Sequence, residues 1–153
     1  MFGKKFHLIV PVLVSMFLAF GCSKDKESQA DKDESIIQQY LSDHNEEATR
    51  HSTGVYYHII KEGSGYSPGP DNTARVIYKG WLTDGTVFDE SAEPLDIPVS
   101  QVIAGWQVAL SLLKPGGKGR FYIPSGLAYG ESSPGSIPPN SVLIFDIELV
   151  DFY

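Results

Sequence analysis

Residues 76–89 decide the fold, and they read Val76-Ile77-Tyr78-Lys79-Gly80-Trp81-Leu82-Thr83-Asp84-Gly85-Thr86-Val87-Phe88-Asp89. The stretch from residue 75 to residue 82 is rich in β-branched and aromatic side chains, which is typical of a strand. Asp84-Gly85 then lies between Leu82 and Val87 as a two-residue turn signal. The chain is therefore predicted to double back as a β-hairpin, which makes an antiparallel sheet the starting expectation.

Further strands are predicted on both sides of this hairpin. Residues 55–61 are rich in β-branched and aromatic side chains and end at a glycine-containing turn. Residues 119–124 are predicted to form a neighbouring strand, with Phe121 and Ile123 on one face. Near the C-terminus, Leu143, Phe145, Ile147 and Leu149 alternate with Ile144, Asp146, Glu148 and Val150. This alternation gives one fully apolar face and predicts a half-buried strand.

One segment has helical rather than strand periodicity. Its apolar residues at helical spacing are Val102, Ile103, Trp106, Leu110 and Leu113. Ser100 is in a position to cap the start, and residues 114–117, Lys-Pro-Gly-Gly, stop the helix. A single short helix must lie across the apolar face of the sheet. The sequence therefore predicts an α+β fold in which an antiparallel β-sheet of about five strands wraps around one short α-helix.

The first 22 residues have the pattern of a targeting segment. Lys4 and Lys5 precede an apolar run over residues 8–20, which is shorter than the roughly twenty residues that a helix needs to cross a bilayer. The run closes on Ala19-Phe20-Gly21-Cys22, which resembles a bacterial lipobox. The resemblance implies that Cys22 is lipidated and becomes the new N-terminus. A secretory signal cut elsewhere is the alternative.

These features predict three regions. Residues 1–21 are a lipoprotein signal peptide, residues 22–53 hold the lipidated N-terminus, a flexible tether and a short helix, and residues 54–153 form the folded domain. Ser23 after the cysteine favours the outer membrane by resemblance to bacterial sorting rules, and residues 24–27 resemble a signal for the cell surface. The expected location is thus a lipid-anchored protein of the outer membrane, at its periplasmic face or at the cell surface.

The tether and its helix are predicted from apolar content. Residues 23–33 contain no large apolar side chain and are expected to be a flexible linker. Ile36, Ile37, Tyr40 and Leu41 then form a narrow apolar stripe that predicts a helix of about two turns. We expect this helix to pack on the domain, with a small dimer contact as the alternative.

Composition and charge exclude several classes of protein. The 153 residues, 42% of them hydrophobic, are enough for one globular core and too few for two ordinary ones. Removing residues 1–21, which carry two lysines and no acidic residue, takes the net charge from −7 to −9, so nucleic acid is not an expected partner. Cys22 is the only cysteine, which excludes an internal disulfide. His44, His51 and His58 fall on a helix end, a loop and a strand start, so no metal site is predicted.

Four motifs, in order along the chain, resemble the FKBP-type peptidyl-prolyl cis-trans isomerases. Residues 76–89 resemble the family segment that places a pocket tyrosine and a phenylalanine-aspartate pair. Residues 102–106 resemble the pocket helix, residues 128–130 the start of the flap loop, and residues 137–146 its end and the last strand. The resemblance covers about residues 54–152. It implies an antiparallel sheet around one helix, with an apolar pocket between them for the ring of a substrate proline.

The resemblance also implies which side chains form that pocket. Its lining would be Tyr78, Phe88, Asp89, Val102, Ile103, Trp106, Tyr129, Ile137 and Phe145. Trp106 would be the floor, the backbone N–H of Ile103 and the hydroxyl of Tyr129 would bond carbonyls of the peptide, and Asp89 would sit at the rim. The sequence departs from the family at three possible rim positions, which are Leu95, Ser133 and Ser136, and the loop between Asp89 and Val102 is short. These departures bear on substrate preference and on binding of macrolide inhibitors.

The activity implied by the resemblance is peptidyl-prolyl cis-trans isomerisation of proline-containing polypeptide clients outside the cytoplasm. This reaction needs no nucleophile, metal or cofactor. The sequence agrees, because no histidine follows His58 and Ser125 lacks the context of a nucleophile elbow. Two alternatives remain, a peptide-binding or chaperone module with this fold and little turnover, and a purely structural surface protein.

Overall fold

A six-stranded antiparallel sheet is the central element of the structure, a computed structural model that describes residues 27–153. The predicted signal peptide and Cys22 lie outside the described residues. The strands are β1 (Thr49–Arg50), β2 (Tyr56–Lys61), β3 (Thr73–Leu82), β4 (Val87–Pro98), β5 (Lys118–Ile123) and β6 (Leu143–Phe152), and their order in the sheet is β1-β2-β5-β6-β3-β4. The helices are α1 (Gln29–His44) and α2 (Ala104–Leu112), and short 3-10 turns span Val99–Gln101 and Ser125–Leu127.

The predicted hairpin is confirmed and joins β3 to β4. The turn closes with hydrogen bonds from Gly85 N to Leu82 O and from Leu82 N to Thr86 O, both 2.9 Å long. Gly85 has a φ of +87°, a conformation that favours glycine. β4 runs for 12 residues, so the segment between Asp89 and Val102 is mostly strand and not the short loop that the sequence predicts. β4 is an edge strand, where a proline such as Pro94 is tolerated.

The main core lies between the sheet and α2. The apolar face of β6 predicted from alternation is buried, and it packs with the inner face of α2 in one hydrophobic cluster. A Cβ on Gly105 would lie 2.3 Å from Cγ2 of Ile123, so the glycine lets α2 approach β5 closely. The prediction for Ser100 is wrong: α2 begins at Ala104 with Ile103 at its N-cap and no side-chain cap, because residues 99–101 form a separate 3-10 turn.

The opposite face of the sheet is covered by α1. Ile37 of α1 is buried in a second cluster with Tyr56, Tyr122, Val142 and Ile144, so β6 is buried on both faces around Ile144. The prediction that this helix packs on the domain is confirmed.

Two predictions about α1 are wrong. The helix has 16 residues in place of about two turns, and its first turn occupies residues 29–33, which the sequence assigned to a flexible tether. A capping box between Ser28 and Asp31 starts the helix before any apolar residue occurs. The signal that sets this boundary is therefore polar, and a search for apolar residues does not detect it.

No helix within residues 27–153 is long and apolar enough to cross a membrane. In the same residues no group of three or more metal-ligating side chains comes together. His44 stacks on Tyr40 with ring centroids 3.9 Å apart, whereas the His51 ring nitrogen is 2.9 Å from the Thr53 hydroxyl. His58 lies on β2, so the three histidines stand in three separate environments.

Candidate functional site

A cavity of about 440 Å³ opens between the β3–β4 hairpin, α2 and the loop that follows Ser125–Leu127. Its lining contains all nine residues that the family resemblance assigns to the pocket, which are Tyr78, Phe88, Asp89, Val102, Ile103, Trp106, Tyr129, Ile137 and Phe145. The remaining lining residues are Ile97, Gln101, Pro134, Gly135 and Ser136. Residues that are far apart in the chain therefore meet at one concave surface.

The floor of the cavity is a cluster of aromatic rings around Trp106, which is 5% exposed. The Trp106 ring meets Tyr78 at 5.1 Å between centroids and Phe145 at 5.3 Å, with interplanar angles of 84° and 89°. Phe88 meets Phe145 at 5.4 Å and 84°. Edge-to-face contacts of this kind are the favoured geometry for aromatic pairs. The floor is thus apolar and held in one arrangement by mutual packing.

Gly80 makes room for this floor. It lies on β3, and a Cβ there would come within 2.6 Å of Phe145 and 2.7 Å of Phe88. The small residue in the middle of a strand therefore allows two phenylalanine rings to lie directly over the backbone. Gly80 is therefore a further residue of the site, beyond those that the sequence predicts.

Polar groups stand at the sides of the cavity. The hydroxyl of Tyr78 donates a hydrogen bond of 2.7 Å to Oδ2 of Asp89, an exposed residue of β4. Burial, reinforced by this bond to a carboxylate, raises the pKa of Tyr78 to about 12. Tyr78 is consequently a neutral donor at physiological pH. Among the lining residues in the described chain, Asp89 is the only one that carries a formal charge.

Two further hydrogen-bonding groups line the mouth. Ile103 is the N-cap residue of α2, where backbone N–H groups have no acceptor within the helix. Tyr129 is 40% exposed and lies in the loop after Ser125–Leu127. The cavity therefore combines an apolar floor with donors at its edge, an arrangement that suits an apolar ring flanked by peptide carbonyls.

Only one of the three predicted rim residues lines the cavity, namely Ser136. Leu95 pairs with Val76 and is 44% exposed, and Ile97 on the same strand lines the wall instead. Ser133 is not a lining residue, because its hydroxyl donates a hydrogen bond of 2.7 Å to the carbonyl of Ile137 within the loop. Leu95 and Ser133 are therefore corrections to the predicted rim. Ile97 could have been found from its position two residues beyond Leu95 on a strand.

A sheet folded over one helix, with an aromatic cavity between them, defines a small α+β domain with an apolar site between its layers. Residues 65–150 match the family model described as FKBP-type peptidyl-prolyl cis-trans isomerase. The chain belongs to this family.

Relatives and solved structures agree with this assignment. A probable FKBP-type peptidyl-prolyl cis-trans isomerase FkpA of Neisseria meningitidis serogroup B is 42% identical over 130 residues, which are 82% of this chain and 47% of that protein. The crystal structure of FkpA from Escherichia coli is similar, with a TM-score of 0.71 and 40% identity over 80% of this chain and 60% of that one. A peptidyl-prolyl cis-trans isomerase from Pseudomonas syringae gives a TM-score of 0.69 and 29% identity over 80% and 95%. The chain spans less than half the length of the Neisseria relative.

Proposed function

We propose that the protein is a peptidyl-prolyl cis-trans isomerase that binds the proline ring of a polypeptide client on the Trp106 floor and accelerates rotation about the X-Pro bond. The observation that carries this function is the meeting of four sequence motifs in one cavity, with Trp106 in edge contact with Tyr78 and Phe145. Membership of the family supports it.

Isomerisation of an X-Pro bond can be accelerated by the shape and the polarity of a binding pocket alone. Rotation about a peptide bond has a barrier of about 18 to 20 kcal/mol. An acceleration of about ten-thousandfold would require roughly 5 to 6 kcal/mol of transition-state stabilisation. The planar amide is favoured by resonance that separates charge, and water stabilises that charge separation. An apolar floor weakens this stabilisation and eases the twist of the bond.

Hydrogen bonds to the client can supply the rest of the transition-state stabilisation. The backbone N–H of Ile103 and the hydroxyl of Tyr129 are proposed to hold carbonyls of the client on either side of the ring. Bonds that are better formed with the twisted amide than with the planar one lower the barrier, whereas bonds that are equal in both only increase affinity. None of these steps requires a proton transfer or a covalent intermediate.

Proline-limited refolding of a model protein tests the proposal. Residues 23–153 at micromolar concentration are expected to accelerate the slow refolding phase, and to leave unchanged the refolding of a client variant whose critical proline is replaced by alanine. An unchanged slow phase would favour a peptide-binding or chaperone module with little turnover. Binding of a proline peptide, followed by tryptophan fluorescence, separates that module from a purely structural protein.

We propose further that the same cavity accepts macrolide inhibitors. A volume of about 440 Å³ with an apolar floor lies in the range of small-molecule sites. Ser136 at the rim offers less apolar surface than the isoleucine that the family often has there, so we expect weaker binding than in relatives that keep the isoleucine.

We also propose that the protein is a lipoprotein anchored through Cys22, outside the cytoplasm and in the outer membrane. The signal-like run over residues 8–20 and the lipobox pattern that ends at Cys22 support this. Ser28 caps the helix α1, and only five residues separate Ser28 from Cys22. Whatever their arrangement, this distance is at most about 20 Å, so the anchor would keep the domain close to the bilayer.

A further inference from the structure

The helix α1 carries a buried carboxylate that reaches the base of the flap loop. Asp33 is 1% exposed, and its Oδ2 accepts hydrogen bonds from the backbone N–H of Ser125 at 2.8 Å and from the Ser125 hydroxyl at 2.6 Å. Its Oδ1 accepts a bond of 2.8 Å from Nε2 of Gln29. Asp33 and Ser125 are the two polar or charged residues that are buried among residues 27–153. The two buried polar residues of the described chain therefore bind each other.

Ser125 in turn fixes the backbone on both sides of Tyr129. Its carbonyl accepts hydrogen bonds from Ala128 N at 3.0 Å and from Gly130 N at 2.8 Å. The carbonyl of Gly130 then accepts a bond of 2.6 Å from Asn140 N, which ties the loop to its far end. A displacement of Ser125 would consequently displace Tyr129, whose side chain lines the cavity.

Asp33 is not the only residue that attaches α1 to the sheet. Ile37 is buried against the sheet, and Glu34 binds both the hydroxyl of Tyr56 and the guanidinium of Arg50. Burying a carboxylate is costly even when it is fully hydrogen-bonded, and an apolar residue would serve simple packing as well. The carboxylate is therefore better explained by its orientation of Ser125 than by packing of α1 on the sheet.

We propose that Asp33 is a positioning residue for Tyr129. By binding both donors of Ser125, it fixes the turn that places the Tyr129 hydroxyl at the mouth of the cavity. Asp33 lies outside residues 65–150, so this contact couples the N-terminal helix to the site from beyond the matched family domain. The consequence for turnover rests on the proposed function.

Three variants of the full chain test this role. Asp33→Ala removes both bonds to Ser125. We expect kcat/KM for a proline peptide to fall by about tenfold, the change that would follow if the misplaced Tyr129 hydroxyl lost its one proposed hydrogen bond to the client. Asp33→Asn keeps the size and one acceptor oxygen, and should restore most of the activity. Glu34→Ala loosens α1 at its other contact, and should lower the melting temperature while leaving kcat/KM of the folded protein unchanged. All rates are compared at a temperature at which each variant is folded.

A double variant and an exchange measurement test whether Asp33 acts through Ser125. If it does, the double variant Asp33→Ala, Ser125→Ala should lose less kcat/KM than the two single variants combined. Amide hydrogen exchange at Ala128 and Gly130 should be faster in Asp33→Ala than in Glu34→Ala. Equal exchange in these two variants, or activity that follows only melting temperature, would overturn the proposal. Absence of turnover in the unmodified protein would instead refute the proposed function, and the exchange rates would then decide the positioning role alone.

Discussion

The hydroxyl of Tyr78 on β3 donates a 2.7 Å hydrogen bond to Asp89 on β4, across the hairpin that the sequence predicts. The register places Asp89 opposite Gly80, so the two side chains meet on a diagonal between neighbouring strands. The bond orients the Tyr78 ring for its edge contact with Trp106. The hairpin thus positions one wall of the cavity as well as forming part of the sheet.

The raised pKa of Tyr78 predicts a loss of stability at alkaline pH. Its folded pKa of about 12 lies above the ordinary value of 10.0. Below pH 10 the folded and unfolded states both hold the proton, whereas between about pH 10 and 12 only the unfolded state releases it. The stabilisation from neutral Tyr78 is therefore complete below pH 10 and declines as pH rises towards 12.

Denaturant unfolding of the unmodified chain and of Tyr78→Phe from pH 8 to pH 12 checks this expectation. The difference in free energy of unfolding between them should change only above about pH 10. Burial and a hydrogen bond to Glu46 also raise the pKa of Tyr122, so the comparison with Tyr78→Phe is what isolates one tyrosine. A difference that stays constant across this range would contradict the assignment.

Gly105→Ala is expected to destabilise the protein although alanine favours helices. The propensity gain is about 1 kcal/mol. The added Cβ would lie 2.3 Å from Cγ2 and 2.9 Å from Cδ1 of Ile123, so α2 or β5 must shift, at a typical cost of about 1 to 3 kcal/mol. Gly126→Ala is the matched control, because a Cβ there meets nothing within 4 Å. The prediction fails if the two variants unfold at the same denaturant concentration.

The local parts of the fold could be predicted from sequence because their signals are local. Asp84-Gly85 marks the hairpin, and alternation from Leu143 to Val150 marks β6. The strand β4 was underestimated since Ser91, Pro94 and several charged residues interrupt its pattern, and an edge strand tolerates them because one side has no partner. Its extent depends on pairing with β3, which is a contact between segments.

At the site, too, the sequence predicted only part of what the structure shows. The family motifs predicted nine lining residues, because a family motif fixes side chains relative to each other. The role of Asp33 could not be found in this way, since its partner Ser125 is 92 positions away and nothing near Asp33 is unusual for a solvated helix. Its burial comes from the docking of α1 on the sheet. Gly80 could have been suspected, because a glycine inside a strand often marks a close approach.

Cys22→Ser is expected to release the protein from membranes. The tether after Cys22 has no large apolar residue to insert, so membrane association would depend on the lipid chains attached to this residue. Fractionation of cells, with metabolic labelling by a fatty acid, should give unlabelled soluble protein for the variant and labelled membrane protein for the unmodified chain. Ser23→Ala is a neighbouring control that should keep the label. A variant that remains on membranes would argue against lipid anchoring.

Variants of Trp106 and Tyr129 together distinguish an effect on the cavity from an effect on the stability of the core. Truncating a large buried aromatic residue typically costs 3 to 5 kcal/mol, so Trp106→Ala would confuse lost activity with lost folding. Trp106→Leu keeps most of the apolar volume, and we expect a modest loss of stability together with a clear loss of turnover and weaker binding of a proline peptide. The flat floor beneath the ring is lost even though the core remains filled.

Tyr129→Phe is the complementary change, since it removes one hydroxyl from a residue that is 40% exposed. We expect an unfolding free energy within about 0.5 kcal/mol of the unmodified chain, as for other surface substitutions. Turnover should still fall, because the hydroxyl is proposed to bond the client. Thermal melts and isomerisation rates on the same two preparations decide between the alternatives. If activity follows only the folded fraction in both variants, the cavity is not the site of isomerisation, and Trp106 is a core residue of the fold.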